Sequence, residues 1–275
     1  MVLFAGESGE FLLTEHNWGS GESQAKPVEK KPVWTGWKNF KVLNKEIECE
    51  DVIRFNLVPE DGAMPDFKAG QSIGIRTDDY APRAFTLCGT PADGCYRLVV
   101  KRFTGETGKL AQHLCQNVRV GDTLEVSEPV GAFTLVEGEN PLVMIAEGIG
   151  ITAIVSLLSE IATREPLRRV HVVYATKNGS NFPLREELKR LMTELPNAGL
   201  AVFYSEPHHD ERAGRDFDVH GKLDISLLRA VCLEHDADFY LCGSEKSMEE
   251  VRKALHALKN VPESRIHEQI YVAKR

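Results

Sequence analysis

The sequence predicts two domains in succession, an antiparallel β-barrel over residues 34–138 and then an α/β domain with a doubly wound parallel sheet over residues 139–275. A chain of 275 residues is long enough to bury two ordinary cores. Short strand patterns separated by turn residues fill the first stretch, which is typical of a small barrel. After Asn140 strand and helix patterns alternate, which indicates a parallel sheet covered by helices on both faces.

Residues 1–33 precede both predicted domains and contain the stretches GSGES and KPVEKKP. Runs of Gly, Ser, Lys and Pro without sustained periodicity are typical of linkers, so we predict a flexible tail or linker here. The first residues are too acidic for a signal or transit peptide. No apolar run reaches the length of about 20 residues that a membrane helix needs.

The barrel prediction depends on six strand patterns and one helix-like segment, TGKLAQHLCQNV, that interrupts them. The strand patterns are FKVLNKEIE, VIRFNLVPEDG, QSIGIRT, RAFTLCG, YRLVVKRF and TLEVSEPVG.

Several side chains in these patterns suit a ligand that carries phosphates and a ring system. Arg83 can donate two hydrogen bonds to one phosphate, the Thr86 hydroxyl can bond a ring edge, and Phe85 can flank a ring face. Gly105 and Gly108 precede the helix-like segment, where free backbone N–H groups can hold an anion. The ordinary alternatives are a solvated charge at Arg83, a core residue at Phe85 and a simple turn at Gly108.

The α/β domain opens with PLVMIAEGIGITAIVSLLSEIA (141–162), a strand pattern that passes through a glycine turn into a helix pattern. Gly148, Gly150 and Ala153 fit the loose dinucleotide fingerprint G-x-G-x-x-A, in which N–H groups at the helix start hold a pyrophosphate. A strand–turn–helix without a ligand is the alternative. The later patterns are RVHVVYAT, helix 183–194, LAVFYSE, helix 224–235, DFYLCG, helix 245–258 and the last strand IHEQIYV.

Composition excludes several classes of site. The formal net charge of −8 argues against a nucleic-acid partner. The six cysteines are scattered without zinc-type or iron–sulfur spacing, which predicts reduced, mostly buried thiols in a cytoplasmic protein. The run from His208 to Glu211 lies in a polar loop pattern, so we interpret it as solvated loop and predict no metal site.

The order of these elements resembles the ferredoxin–NADP reductase family, and within it the reductase half of flavohaemoglobins. The resemblance covers residues 34–271 and includes no globin sequence, so no haem site is expected. Six elements carry it in register: Arg83–Thr86, Val100–Arg102, Gly108–Leu110, Pro129–Phe133, Gly148–Thr152 and Tyr240–Met248.

The resemblance implies that the barrel binds FAD. Arg83 then lies at the FAD pyrophosphate, and the Thr86 hydroxyl points toward flavin N5. The full set of FAD residues implied comprises one strand, a second strand beside the isoalloxazine and a helix start: Arg83, Ala84, Phe85 and Thr86; Val99, Val100, Lys101 and Arg102; Gly108, Lys109, Leu110 and Ala111.

The resemblance likewise implies that the α/β domain binds NADH or NADPH, through Gly148, Gly150, Thr152, Cys242, Gly243 and Met248. Three residues are implied to act at the reacting centre. They are Thr86, Cys242 beside the nicotinamide, and Tyr271, the C-terminal aromatic that shields the flavin.

The implied activity is an FAD-dependent NAD(P)H oxidoreductase, in which hydride passes from nicotinamide C4 to flavin N5. The electrons then pass to a separate redox protein or a small acceptor such as free flavin, quinone or oxygen. Glu206 favours NADH, because a carboxylate opposes a 2′-phosphate, although Lys177 and Arg185 lie near the other flank. The alternative is that all three are solvated surface charges.

Four positions depart from the family pattern, namely Ala111, Glu147, Ala153 and Gln269, where the family has a hydroxyl residue, glycine, proline and glutamate. These departures leave open an alternative, a non-catalytic nucleotide-binding or interaction module on the same fold.

Overall fold

The structure, a computed structural model, describes residues 2–5, 11–14, 34–62, 64–103, 105, 108–224, 236–259 and 261–271. The first two strands are short, β1 (Val2–Ala5) and β2 (Phe11–Thr14). The barrel strands are β3 (Trp37–Cys49), β4 (Val52–Pro59), β5 (Ser72–Thr77), β6 (Tyr80–Thr86), β7 (Tyr96–Lys101) and β8 (Thr123–Ser127). Helix α1 (Lys109–Gln116) lies between β7 and β8.

The barrel forms one antiparallel sheet in the order β6-β5-β8-β3-β4-β7. Its two edge strands meet just after β6, where Leu87 forms a bridge with Leu98 of β7. The Cys88 N–H donates to the Arg97 carbonyl at 2.8 Å in the same place. The sheet therefore closes on itself, and the barrel prediction is confirmed.

Alternate residues of the barrel strands point inward, as the period of two in a strand requires. Phe40 of β3 stacks on Tyr96 of β7 with ring centroids 5.0 Å apart, and both are fully buried. Leu110 and Leu114 of α1 pack into the same core. The helix-like segment of the sequence thus covers one end of the barrel.

The second domain has six parallel strands in the order β12-β11-β10-β9-β13-β14, and this part of the fold prediction is confirmed as well. The strands are β9 (Leu142–Glu147), β10 (Val170–Thr176), β11 (Ala198–Tyr204), β12 (Val219–His220), β13 (Asp238–Ser244) and β14 (Ile266–Tyr271). The helices are α2 (Ile151–Arg164), α3 (Arg185–Glu194) and α4 (Glu245–Lys259).

Successive residues of the parallel strands enter two different cores. Met144 belongs to the core under α2 and α3, whereas Val143 and Ile145 belong to the core under α4. The chain moves from β9 toward β12 and then returns to place β13 on the other side of β9. This reversal of strand order opens a crevice at the carboxyl ends of β9 and β13, the usual ligand position in such sheets.

The predicted tail (1–33) and the predicted helix 224–235 lie largely outside the described residues. Within residues 1–33, the predicted tail or linker, β1 and β2 pair antiparallel and Val2 stands opposite Ile270 of β14. The other residues of that segment lie outside the described residues, as do residues 225–235 of the predicted helix 224–235.

Buried polar contacts join the two domains. The Ser156 hydroxyl of α2 donates to the Gly89 carbonyl at 2.8 Å and accepts from the Gly70 N–H at 3.2 Å. Arg97 of β7 pairs with Glu187 of α3 at 2.7 Å. These contacts place the crevice of the parallel sheet directly beside the end of β6.

Candidate functional site

The three residues predicted to act at the reacting centre meet where β6, β13 and β14 end. The Tyr271 hydroxyl lies 3.3 Å from Thr86 Oγ1 and 3.4 Å from Cys242 Sγ, which donates to it. Thr86 and Cys242 are buried and Tyr271 is half-buried. Residues from two domains are therefore within hydrogen-bond range of one another.

The ionisable groups of this cluster are neutral near pH 7. Burial raises the pKa of the Cys242 thiol to about 12. Burial also raises the pKa of the Tyr271 phenol well above its ordinary value, and the neighbouring Cys242 adds to the effect. A neutral thiol is a poor nucleophile, so the cluster can orient and bond a ligand but offers no activated nucleophile.

Sequence reasoning noted Gln269 only as a departure and missed its place in this cluster. Its amide Nε2 donates to Thr86 Oγ1 at 2.8 Å and to Ser72 Oγ at 2.9 Å. Gln269 is 1% exposed, and its Oε1 is buried with no partner in the described part of the chain. The available signal was a glutamine in a buried-strand pattern, whereas nothing in the sequence singled out Ser72.

Two predicted glycines occupy the turn between β9 and α2 for different reasons. Gly148 has a φ of +54° and faces open space, so the backbone and not a neighbour requires glycine. A Cβ at Gly150 would lie 2.1 Å from the Cys242 carbonyl oxygen. No side chain caps the start of α2, although the Ile151 N–H donates to the Gly148 and Ile149 carbonyls. The positive end of the helix dipole at this turn suits an anion.

Other predicted nucleotide residues near this turn have partners within the protein. The Thr152 hydroxyl donates to the Ile149 carbonyl at 2.9 Å. Met248 is fully buried, and a Cβ at Gly243 would lie 2.8 Å from its Cε. The Met248 side chain therefore packs against Gly243 near the end of β13.

Glu147, the acidic departure, ends β9 beside β13. Its Oε2 accepts a hydrogen bond from the Ser244 hydroxyl at 2.8 Å. This bond holds the carboxylate at the end of β13, beside the turn that begins at Gly148.

Among the predicted FAD residues of the barrel, Arg83 is half-buried on β6 opposite Ile75 and makes no ion pair with any described residue. Ala84 and Phe85, which follow it on β6, are half-buried as well. Arg102, by contrast, pairs with Asp51 through its guanidinium, and its N–H donates to the Asp51 carbonyl at 2.7 Å.

The remaining predicted residues of the barrel lie on β7 and at the start of α1. The Lys101 ammonium lies 5.9 Å from the centre of the Phe103 ring. Gly108 precedes α1 without a side-chain cap, and a Cβ there would lie 2.3 Å from the Phe103 carbonyl oxygen. Four further predicted residues have buried side chains, so only their backbone groups could contact a ligand. They are Val99, Val100, Leu110 and Ala111. Lys109 is the first residue of α1.

The ends of β10 and β11 carry the residues considered for cofactor choice. Lys177 and Glu206 are exposed and face each other, with Nζ and Oε2 3.9 Å apart. Arg185 lies 3.8 Å from Asp216 and packs over the Phe182 ring. Glu206 and Lys177 therefore flank the strand ends together, while Arg185 has partners elsewhere.

The loop that contains His208 packs on the turn before α3. Ser180 Oγ lies 3.1 Å from His208 Nε2, and Glu211 accepts from the N–H groups of Gly179 and His208 at 2.8 and 2.7 Å. No group of three or more potential metal ligands is found among the described residues. The helices described include none that is long and apolar enough to cross a membrane.

The geometry fits the two cofactors that the resemblance implies. The uncapped helix starts after Gly108 and Gly148–Gly150, together with Arg83, suit phosphates. The Thr86 hydroxyl and the unpartnered Gln269 Oε1 suit the polar edge of a ring.

Comparison with known families agrees with this geometry. The family model described as "Oxidoreductase FAD-binding domain" matches residues 39–135. The model described as "Oxidoreductase NAD-binding domain" matches residues 144–253.

Relatives match the same stretch of chain. A flavohemoprotein from Bordetella pertussis is 36% identical over 247 residues, which cover 86% of this chain and 61% of that protein. One from Bacillus subtilis is 32% identical over 246 residues, covering 86% of this chain and 60% of that protein. This chain thus spans about three-fifths of the length of these relatives.

Solved structures extend the agreement to the whole length of a neighbour. The flavohem-like FAD/NAD-binding domain of nitric oxide dioxygenase from Vibrio cholerae aligns with a TM-score of 0.75 at 31% identity, covering 86% of this chain and 99% of that one. A cytochrome P450 reductase from Amycolatopsis shares the fold, with a TM-score of 0.74 at 19% identity. The resemblance is therefore confirmed, and the chain belongs to the ferredoxin–NADP reductase family of FAD- and NAD-binding flavoprotein oxidoreductases.

Proposed function

We propose that this chain is an NADH-dependent oxidoreductase that passes hydride from nicotinamide C4 to flavin N5 and then electrons to a separate acceptor. Bound FAD supplies the hydride and electron chemistry, and the protein supplies alignment and exclusion of water. The observation that carries the proposal is the meeting of Thr86, Cys242 and Tyr271 at the crevice between the domains.

On the barrel side, Arg83 binds the FAD pyrophosphate, since it is half-buried and has no ion-pair partner among the described residues. The backbone at the start of α1 binds the other phosphate oxygens. The Thr86 hydroxyl would be offered to the flavin ring, at N5. Arg102 acts through its contact with Asp51, which ties the end of β7 to the turn between β3 and β4.

On the parallel-sheet side, the backbone of Gly148, Gly150 and Thr152 binds the nucleotide pyrophosphate at the start of α2. Cys242 and Gly243 line the nicotinamide position at the carboxyl end of β13, where the strand order reverses. Met248 holds Gly243 in place by packing beneath it. Tyr271 would lie over the ring of bound FAD, and it would have to move for the nicotinamide to take that position.

The preference for NADH rests on Glu206. Its carboxylate is exposed at the end of β11, and Lys177 is close enough to offset its charge only in part. A ribose 2′-hydroxyl can donate to this carboxylate, whereas a 2′-phosphate would be repelled.

The acceptor is a redox protein or a small molecule. Relatives of this chain carry the name flavohemoprotein, which supports a haem protein as the first acceptor to test. The alternative is a non-catalytic nucleotide-binding module, favoured by the position of the Glu147 carboxylate beside the Gly148 turn.

Optical spectroscopy separates the two functions. The purified chain is incubated with FAD, desalted, and titrated with NADH under anaerobic conditions. We expect one bound flavin whose visible absorbance band NADH bleaches. A chain that binds no FAD, or binds FAD that NADH leaves oxidised, contradicts the proposal and supports the non-catalytic module. Turnover with haem protein, free flavin, quinone and oxygen then identifies the acceptor.

A further inference from the structure

The Glu147 carboxylate lies at the rim of the crevice, beside a residue that lines the nicotinamide position in the proposed function. Parallel pairing places Ala146 of β9 opposite Cys242 of β13, so Glu147 follows opposite Gly243. A Cβ at Gly243 would lie 3.1 Å from the Glu147 Cβ, so the two residues pack directly together. The carboxylate is therefore held at the carboxyl ends of β9 and β13, where the strand order reverses.

Hydrogen bonds fix this carboxylate in place. Its Oε2 accepts from the Ser244 hydroxyl at 2.8 Å. Because a carboxylate only accepts, the single Ser244 hydrogen is used here, and the Ser247 hydroxyl at 3.0 Å and the Ser247 N–H at 3.4 Å donate to Ser244 Oγ. Glu147 is half-buried and makes no ion pair with any described residue, so no cation among these residues is bonded to its carboxylate.

The polar side chains that meet at the reacting centre carry no charge near pH 7. Burial raises the pKa of the Cys242 thiol to about 12 and that of the Tyr271 phenol well above its ordinary value. Thr86 and Gln269 do not ionise in this range. Glu147 therefore brings a negative charge to the edge of a neutral cluster.

The charge of the nicotinamide ring changes during the proposed reaction. The ring is neutral in NADH and carries one positive charge in NAD⁺, because the hydrogen and two electrons of a C4–H bond pass to flavin N5. A fixed carboxylate attracts this positive charge, and Coulomb attraction falls only with the inverse of distance, so it acts without contact. The pyrophosphate is the same in both nucleotides, so its repulsion by Glu147 cancels when the two are compared.

We propose that Glu147 is a specificity-determining residue that favours the oxidised over the reduced nicotinamide ring at this site. This inference rests on the proposed function, in which the nicotinamide lies beside Cys242 and Gly243. Relative to a neutral side chain, the carboxylate stabilises the positive charge that develops as the hydride leaves. It also retains NAD⁺ more tightly in comparison with the reduced nucleotide. The Ser244 hydroxyl positions the carboxylate for this role by holding it at the end of β13.

Binding of two nucleotides that leave the flavin oxidised measures this preference. The full chain, loaded with FAD, is titrated with NAD⁺ and with the tetrahydro analogue of NADH, whose ring is neutral and donates no hydride. Perturbation of the flavin absorbance band gives both dissociation constants. Their ratio is compared between the parent and Glu147→Gln, which removes the charge at nearly equal size. Thermal unfolding of each loaded variant checks that it is folded.

Two further variants separate charge near the ring from other effects. Glu147→Asp keeps the charge and shortens the side chain by one methylene. Glu206→Gln removes the same charge at the end of β11, where the adenosine ribose is proposed to bind. That part of the nucleotide is identical in the two ligands, so both affinities change together.

We expect Glu147→Gln to weaken NAD⁺ binding relative to the analogue by about three- to tenfold, the range for unit charges that interact across a partly hydrated site. Glu147→Asp should keep most of the parent preference, and Glu206→Gln should keep the parent ratio. An unchanged ratio in Glu147→Gln overturns the inference. So does an equal change in Glu206→Gln, or a Glu147→Asp variant that behaves as Glu147→Gln does. A parent chain that binds neither nucleotide contradicts the proposed function itself.

Discussion

Charged side chains near this site differ in whether another residue already pairs with them. Arg76 of β5 makes two hydrogen bonds with Glu125 at 2.9 and 2.8 Å, whereas Arg83 of the neighbouring strand has no such partner among the described residues. A guanidinium kept half-buried without a carboxylate is suited to an anionic ligand.

We therefore expect Arg83→Ala to weaken FAD binding about 10- to 150-fold, since a hydrogen bond to a charged group contributes about 1.5–3 kcal/mol. Flavin fluorescence titration measures the dissociation constant. Arg76→Ala is the control and should bind FAD as the parent does. Equal affinities for the parent and Arg83→Ala would remove Arg83 from the flavin site.

Tyr271 competes with the nicotinamide for the flavin face in the proposed mechanism. Aromatic stacking contributes about 0.5–1.5 kcal/mol beyond area burial, so Tyr271→Ser should tighten NADH binding about two- to tenfold and perturb the flavin absorbance band. Stopped-flow reduction by NADH measures both. Tyr271→Phe keeps the ring and should retain the parent affinity. A serine variant identical to the parent in affinity, spectrum and reduction rate would show that Tyr271 does not cover the flavin.

Glu206 permits a test of cofactor choice. We expect Glu206→Arg to raise the ratio of kcat/KM for NADPH over NADH at least about fivefold, because about 1 kcal/mol is gained when an exposed repulsion becomes an attraction. Glu194→Arg makes the same change at the far end of α3 and should leave the ratio unaltered. If the two variants give the same ratio, Glu206 does not face the ribose.

At the scale of elements, the turn between β9 and α2 is set by packing as much as by ligand binding. We expect Gly150→Ala to lower the free energy of unfolding by about 3 kcal/mol, because the new Cβ meets a backbone carbonyl that cannot rotate away. Gly148→Ala meets nothing and should cost about 1 kcal/mol for its positive φ. Urea unfolding of both variants measures the difference, and equal losses would contradict this account.

The alternation of strand and helix patterns predicted the elements, because the periods of strands and helices are written locally in the sequence. It did not predict the partners of Ser72 and Gln269, since these depend on how the barrel docks against β14. Nor did it predict that Arg102 would bind Asp51, which is brought to the end of β7 by the pairing of Val52 with Lys101. The local sequence pattern is therefore enough to predict helices and strands. The partners of the site residues depend on how strands and domains pack, which the pattern does not contain.

At the scale of the whole molecule, the ion pair between Arg97 and Glu187 joins the barrel to α3 and is largely buried on both sides. Removing one partner of a buried pair leaves an uncompensated charge, which typically costs about 3–5 kcal/mol. We expect Glu187→Ala to lower the free energy of unfolding by about this amount in urea. Glu186→Ala, a neighbouring exposed carboxylate on the same helix, should change it by less than about 0.5 kcal/mol. Similar losses for the two variants would mean that the pair does not hold the domains together.

The Ser156 hydroxyl bonds the barrel at Gly70 and Gly89. Its position on α2 also fixes the distance between this contact and the turn at Gly150. It lies six residues along the helix from Gly150, or about 9 Å at the helical rise of 1.5 Å per residue. If the domains rock about this contact by about 10°, the turn at Gly150 moves by only about 1.6 Å. The alignment of reacting atoms is sensitive to about 1 Å, so the domains must hold this contact to within about 6° for the turn at Gly150 to keep its place.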